Sequence, residues 1–103
     1  MDFAVVVDKQ AAIPTVRISG EFDLYAAPEF CNCARNAIGD GQSMVVCVDL
    51  EHCTYIDSEG IKALLRMKLR LGDGGRVIIS RASPVAQRVI HLVGLDSPDG
   101  PLG

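Results

Sequence analysis

The sequence predicts one α/β domain, with helices packed against a mixed, mostly parallel sheet of four to five strands. Two observations predict this class. Short, largely apolar runs at residues 44–48 and 76–80 have the composition of strands buried on both faces. The segments between such runs place apolar residues at helical spacing. Because strands and helices alternate, right-handed crossovers and parallel pairing are expected, in the order β-β-α-β-α-β-α.

The first half of the chain is predicted to form two strands and a helix. Residues 3–7 are apolar, and residues 15–19 alternate between apolar and polar, which is the period of a strand with one buried face. The short link between them suggests an antiparallel pair. Gly20 is expected to end the second strand, and residues 21–25 to form a loop. From Ala26 the period becomes helical, with a buried stripe predicted at Phe30, Ala34, Ala37 and Ile38.

The second half is predicted to repeat a strand–helix pattern. Residues 51–57 follow the third strand as a loop and lead into a second helix. Ser83 and Pro84 suit the cap and the first position of a third helix after the fourth strand. The apolar stripe of the second helix is predicted at Ile61, Leu64, Leu65 and Leu69.

Residues 1–103 are predicted to be a single domain, a common size for one. Residues 96–103 contain two Pro and two Gly without periodicity, which predicts a flexible tail. The N-terminus lacks a basic start followed by an apolar segment, and no apolar run reaches the roughly 18 residues of a membrane span. The protein is therefore expected to be cytoplasmic and not membrane-bound.

Composition argues against two classes of site. The net charge is −3, whereas nucleic-acid binders usually carry an excess of basic residues. No direct nucleic-acid contact is therefore expected. Four cysteines are present, but Cys31 and Cys33 are two residues apart on a predicted helix and point in different directions. No metal and no cofactor are predicted, and the thiols are expected to be reduced.

Candidate functional residues gather where the predicted parallel strands end. Sites in such sheets form beyond the carboxyl ends of the strands. Glu21, Asp23, Asp57, Ser58 and Glu59 are therefore expected to share one rim.

The segment before the second helix allows two compatible interpretations. Either Asp57 or Ser58 can cap that helix through a side-chain oxygen. Gly60 can let another part of the backbone approach closely. A serine at an exposed helix N-terminus is also a good position for a phosphate, whose charge the dipole favours.

These segments resemble the motifs of one family. Residues 48–50, then residues 57–61 after six intervening residues, and then residues 64–65 resemble the signature of STAS-domain anti-sigma factor antagonists. Residues 18–23, with Ala27 and Pro28 after them, resemble the family's second motif. The two motifs occur in the family's order, and the resemblance extends to about residue 95.

The resemblance implies a STAS-like fold and a switch based on protein binding. Such antagonists bind an anti-sigma factor that is also a serine kinase, which frees a sigma factor. The kinase phosphorylates the serine that aligns with Ser58, which breaks the complex, and a serine phosphatase reverses the reaction. On this analogy the partner-binding residues are predicted to be Glu21, Asp23, Asp57, Ser58, Glu59, Gly60, Lys62 and Arg66.

Two departures from the family pattern stand out. Glu59 occupies a position that often holds a second Ser or Thr, so it could alter recognition by the kinase. Ala26 and Ala27 occupy positions where a capping Ser or Thr often precedes the proline, which weakens the cap of the first helix.

Two other functions compete with the switch. A small-ligand or nucleotide-sensing module could use the same rim and the same helix N-terminus. An enzyme could use Asp23 and Asp57 as an acid–base pair. No phosphate-loop motif and no pattern of a nucleophile with a base are present. The chain is accordingly predicted not to be an enzyme and to have no catalytic residue.

Overall fold

A computed structural model describes residues 2–39, 44–97 and 100–102. These ranges contain five strands and three helices. They are β1 (Phe3–Asp8), β2 (Thr15–Phe22), α1 (Ala27–Ile38), β3 (Val45–Leu50), β4 (Cys53–Ile56), α2 (Ser58–Leu71), β5 (Arg76–Ala82) and α3 (Pro84–Leu92).

The strands form one mixed sheet in the order β1-β2-β3-β5, with β4 beside β2. β1 runs antiparallel to β2, and the other pairings are parallel. The long strand β2 has two partners on the same side. Its first half pairs with β3, and its second half pairs with β4. The predicted α/β class, with a mostly parallel sheet, is confirmed.

The strand β4 was not predicted, and β2 is longer than expected. The sequence predicts a loop at residues 51–57, because the four residues of β4 carry too little pattern to indicate a strand. Gly20 was expected to end β2, but the strand continues to Phe22 through an irregularity at Gly20. Gly20 has a φ of +83°, and a Cβ there would lie 2.0 Å from the carbonyl oxygen of Asp2. The glycine therefore lets the chain pass this crowded point and continue as a strand.

The core lies between one face of the sheet and the helices. Val16 and Ile18 of β2 and Val48 of β3 are buried there with Phe30 of α1 and Leu64 of α2. Alternate strand residues point to the opposite face, where Val6 and Arg17 are exposed. This alternation is the period of two that a strand imposes.

The buried stripe of α2 differs from the predicted one. Met67 is buried, whereas Leu69 is 79% exposed. The helix presents Leu64 and Met67, three residues apart, to the core. Leu69 lies too far around the helix to join them.

The end of the chain packs against the domain. Leu102 is buried, and its carbonyl oxygen accepts a hydrogen bond of 2.9 Å from the Val77 N–H of β5. This contact differs from the flexible tail predicted for residues 96–103, because an isolated leucine after two prolines gives no periodic signal. Residues 98, 99 and 103 of that segment lie outside the described residues. None of the helices in the described ranges is long and apolar enough to cross a membrane.

A row of charged side chains crosses the open face of the sheet. Asp49 of β3 is aligned with Arg17 of β2 and with Arg81 of β5. One oxygen of the buried Asp49 carboxylate lies 2.9 Å from Arg81 and 3.4 Å from Arg17, while the other accepts from the Glu51 N–H at 2.9 Å. Burial alone would raise the pKa of Asp49, but the Glu51 hydrogen bond and the two guanidiniums outweigh it and lower the pKa.

This lowered pKa predicts a pH-dependent contribution to stability. The folded state favours the Asp49 carboxylate, so its contribution is present above the unfolded pKa of about 4 and is lost as the pH falls through the folded pKa. Asp49→Asn should lower the free energy of unfolding by about 1–3 kcal/mol at pH 7, and by less below about pH 4. Urea denaturation at both pH values measures the difference. Asp8→Asn, which removes a more exposed ion pair with Arg17, should change stability little. A loss for Asp49→Asn that is equal at both pH values would contradict the assignment.

Candidate partner-binding rim

Two loops meet at the rim because β2 and β4 end side by side. Phe22 and Ile56, the last residues of these strands, are aligned in parallel register. The Asp57 N–H then donates to the Phe22 carbonyl oxygen at 3.4 Å. The loop after β2 and the N-terminus of α2 therefore emerge together at one edge of the sheet.

Asp57, and not Ser58, caps α2. Asp57 Oδ1 accepts from the Glu59 N–H at 2.9 Å and from the Gly60 N–H at 3.3 Å. Ser58 is the first residue of the helix and is exposed. Among the described residues, its hydroxyl has no hydrogen-bond partner. The capping function is thus fulfilled next to Ser58, and the Ser58 hydroxyl faces solvent.

Gly60 positions the first turn of α2 against the sheet. It is buried, and a Cβ at this position would lie 2.5 Å from the Phe22 carbonyl oxygen and 2.9 Å from a side-chain carbon of Ile56. Any larger residue would push the helix away from the two strand ends. The predicted close approach occurs at this glycine, which is buried. Its contact with a partner stays a prediction.

Asp23 lies at the rim, but its side chain is only 5% exposed. Its Oδ1 accepts from the Tyr25 N–H at 3.0 Å and from the Ala26 N–H at 3.2 Å. Ala26, at the cap position of α1, makes no side-chain cap hydrogen bond. Asp23 instead orders the turn that leads into α1. The carboxylate predicted to contact a partner is thus turned inward, whereas Glu21, at the end of β2, is half-buried.

One face of α2 carries Ser58, Lys62 and Arg66 at intervals of four residues, and all three are exposed. Lys62 Nζ lies 3.0 Å from Glu59 Oε2. Glu59 is therefore paired with a lysine of the same helix. Ser58 accordingly sits between two carboxylates, those of Asp57 and Glu59, with one ammonium group a turn away.

Sequence reasoning missed the apolar part of the rim. Leu24 is 59% exposed and Tyr25 is 62% exposed in the loop after β2, and Tyr55 of β4 is 48% exposed beside Glu21. Exposed aromatic residues are enriched in protein interfaces. The available signal was an apolar pair directly after Asp23, in a segment assigned to a loop.

In the described part of the chain, no group of three or more His, Cys, Asp or Glu side chains could hold a metal ion. Cys53 is buried in the core, and this burial raises the pKa of its thiol.

The chain matches one known domain family and is similar to several solved structures. The sequence model of a family described as "Mlab, STAS domain" matches residues 5–102. The structure is similar to that of an anti-sigma factor antagonist from Mycobacterium paratuberculosis, with a TM-score of 0.79 and 26% identity over 92% of this chain and 80% of that chain. It is also similar to the phosphorylated form of the Bacillus cell fate determinant SpoIIAA, with a TM-score of 0.67 and 26% identity over 89% of this chain and 85% of that one.

A third similar structure is the unphosphorylated form of the anti-sigma factor antagonist SpoIIAA. Its TM-score is 0.71, with 24% identity over 96% of this chain and 84% of that chain. At this identity the likeness concerns the fold, and it confirms the STAS-like arrangement of strands and helices that the two sequence motifs imply.

The cap of α2 gives a test of the local geometry. Asp57→Ala should lower the free energy of unfolding by about 1 kcal/mol, because the N–H groups of Glu59 and Gly60 lose their acceptor. Asp57→Asn keeps an acceptor oxygen and should lose less. Chemical denaturation of both variants provides the measurement. No loss for Asp57→Ala would show that this side chain does not hold the helix end. Equal losses would show that the charge of the carboxylate holds it, and not an acceptor oxygen alone.

Proposed function

Because the chain belongs to the STAS domain family, we propose that it is an anti-sigma factor antagonist, which binds an anti-sigma factor and thereby releases a sigma factor. The partner is a serine kinase, phosphorylation of Ser58 ends the binding, and a serine phosphatase restores it. The chain acts as one cytoplasmic domain that binds and is modified, without catalysing a reaction. The similarity to an anti-sigma factor antagonist over 92% of this chain supports the proposal.

The observation that carries the proposal is the exposed hydroxyl of Ser58 at the start of α2, which has no hydrogen-bond partner among the described residues. Asp57 already accepts from the two helix N–H groups. The Ser58 oxygen has no structural task, so a kinase can reach it without disrupting the helix. In the transfer, Ser58 Oγ forms a bond to the γ-phosphorus of ATP, ADP leaves, and the hydroxyl proton is released to the kinase.

The Asp57 cap also explains why the charge of a phosphate on Ser58 would be directed at the partner and not neutralised by the helix N-terminus. A phosphoserine adds about 1.5–2 negative charges near pH 7. The N–H groups that would usually receive a phosphate are occupied by Asp57, and Glu59 adds a second carboxylate next to the site. Lys62 is the nearby cation on this face, and it is already paired with Glu59. The new charge is therefore poorly compensated and is presented to the partner.

The binding surface combines an apolar and a charged part. Leu24, Tyr25 and Tyr55 supply exposed apolar area. The face of α2 that starts at Ser58 supplies Lys62 and Arg66. Aromatic anchors next to a polar rim are typical of protein interfaces, so a protein is a better ligand for this surface than a small molecule.

The competing nucleotide-sensing function is disfavoured at the rim. A nucleotide phosphate would need the free N–H groups of the α2 N-terminus. Asp57 occupies the N–H groups of Glu59 and Gly60 and places a carboxylate where the phosphate would lie.

Phosphorylation is tested by intact-mass spectrometry of the protein incubated with each candidate anti-sigma factor kinase and Mg-ATP. The wild-type chain should gain one phosphate and Ser58→Ala none. Thr54→Ala removes another exposed hydroxyl close to the rim and should still be modified, which makes it the matched control. An unmodified wild-type chain that still binds the kinase would overturn phosphorylation as the control of binding. A wild-type chain that neither binds nor is modified would overturn the antagonist function itself.

The apolar part of the surface is tested by calorimetric titration of the same kinase. Leu24→Ser combined with Tyr25→Ser should weaken binding by about tenfold or more, which corresponds to about 1.4 kcal/mol. The two side chains are more than half exposed, so the unfolding free energy should change little. Leu92→Ser removes an exposed leucine from α3 and serves as the control. Unchanged binding by the double variant, or an equal loss for Leu92→Ser, would exclude the loop after β2 from the interface.

A further inference from the structure

A basic groove lies between α1 and α2 and shares Arg66 with the face of α2 that starts at Ser58. It has a volume of about 190 Å³ and is lined by Cys31, Ala34, Arg35, Arg66, Met67 and Arg70. Ala34 and Met67 are buried and form its floor, whereas the three arginines are exposed and form its walls. Arg66 is eight residues after Ser58 on the same helix, which places it about 12 Å from Ser58 along the axis.

The arginines of this groove have no acidic partner among the described residues. The ion pairs found in those ranges use Arg17 and Arg81 but none of the three groove arginines. The guanidinium of Arg35 donates a hydrogen bond to the neutral side-chain oxygen of Asn32, at 3.4 Å. This is unusual because acidic residues outnumber basic ones in the chain, 13 to 10.

Local helix energetics explain two of the three arginines but not their clustering. Arg35 and Arg70 lie in the last turns of their helices, where the helix dipole favours a cation. Arg66 lies one turn earlier, and its spacing of four residues from Arg70 brings two like charges together, which costs a few tenths of a kcal/mol. Arg35 of α1 lines the same groove and adds a third positive charge to this repulsion. An anion between the three groups would remove it.

We propose that this groove binds a compact phosphate-type anion. Guanidinium groups bind phosphate oxygens in pairs of parallel hydrogen bonds and stay charged at every physiological pH. The volume corresponds to about six water molecules at roughly 30 Å³ each, which suits a phosphate or diphosphate group and is too small to enclose a nucleoside as well. The buried floor excludes water from one side and strengthens the attraction.

The half-buried Cys31 provides a reporter inside the groove. Pyrophosphate bound between the arginines should cover this thiol and slow its alkylation by iodoacetamide, measured by peptide mass spectrometry. Cys33 lies on the same helix and is also half-buried, but it does not line the groove. Burial and the nearby Glu29 carboxylate raise the pKa of the Cys33 thiol, so the comparison uses each cysteine's rate with and without the anion.

The experiment titrates inorganic phosphate, pyrophosphate and ADP into the full chain and follows backbone amide signals by NMR. Pyrophosphate should give saturable shifts in α1 and α2 and should protect Cys31 but not Cys33. Arg66→Gln combined with Arg70→Gln should weaken binding at least tenfold. Arg88→Gln, which removes an exposed arginine of α3, should not weaken it. Glutamine is a good helix former, so the variants should fold, as their melting temperatures will show.

The arms of the titration separate the possible sources of the phosphate group. Equal affinities for pyrophosphate and ADP indicate that the groove recognises the diphosphate group alone, whether free or part of a larger molecule. A higher affinity for ADP, with signal shifts in the same groove, indicates that the ligand is a larger metabolite that projects from the groove. ADP shifts confined to the N-terminus of α2 would overturn the proposal. The absence of saturable shifts at millimolar pyrophosphate would overturn it too, as would an equal loss in Arg88→Gln.

Discussion

The rim depends on one constraint, which is that β2 pairs with two successive strands on the same side. The first half of β2 binds β3, and its second half binds β4. Because the turn between β3 and β4 keeps the chain beside β2, Phe22 and Ile56 finish in register. The loop after β2 and the start of α2 are thereby placed next to each other. The irregularity at Gly20 maintains this pairing to the end of β2.

The polar residues of the rim divide structural and functional tasks. Asp23 orders the turn before α1, and Asp57 caps α2, so both carboxylates are engaged with backbone N–H groups. Gly60 allows α2 to approach the strand ends. These residues hold the geometry and leave Ser58 unconstrained. Both aspartates thus act here by positioning the backbone, and Leu24, Tyr25 and Tyr55 are exposed beside them.

The sequence predicts the class of the fold, because alternation and helical stripes extend over many residues. It does not predict β4, since four residues are too few to establish a period. It also places the end of β2 too early, because a glycine usually indicates the end of a strand. The strand-end pattern predicts that the loop after β2 and the start of α2 lie together, as they do, but the choice between Asp57 and Ser58 as the cap depends on backbone angles that spacing does not encode. The burial of Asp23 is equally hidden, because an aspartate in a turn and one on a surface have the same sequence pattern. In α2 the sequence predicts the wrong buried face, with Leu69 in place of Met67. Apolar residues follow two faces of this helix, and their spacing does not show which face packs against the core.

The contact of Leu102 with β5 has a consequence for self-association. β5 is the last strand of the sheet, and the outer edge of such a strand exposes backbone groups that can pair with another molecule. Leu102 occupies the first of these groups on Val77 and, together with Leu95 and Ile90, is buried at the same end. Leu102 therefore covers this part of the sheet edge. A chain shortened before Leu102 would present a hydrogen-bonding edge beside uncovered apolar side chains, which is the combination that promotes domain swapping and aggregation.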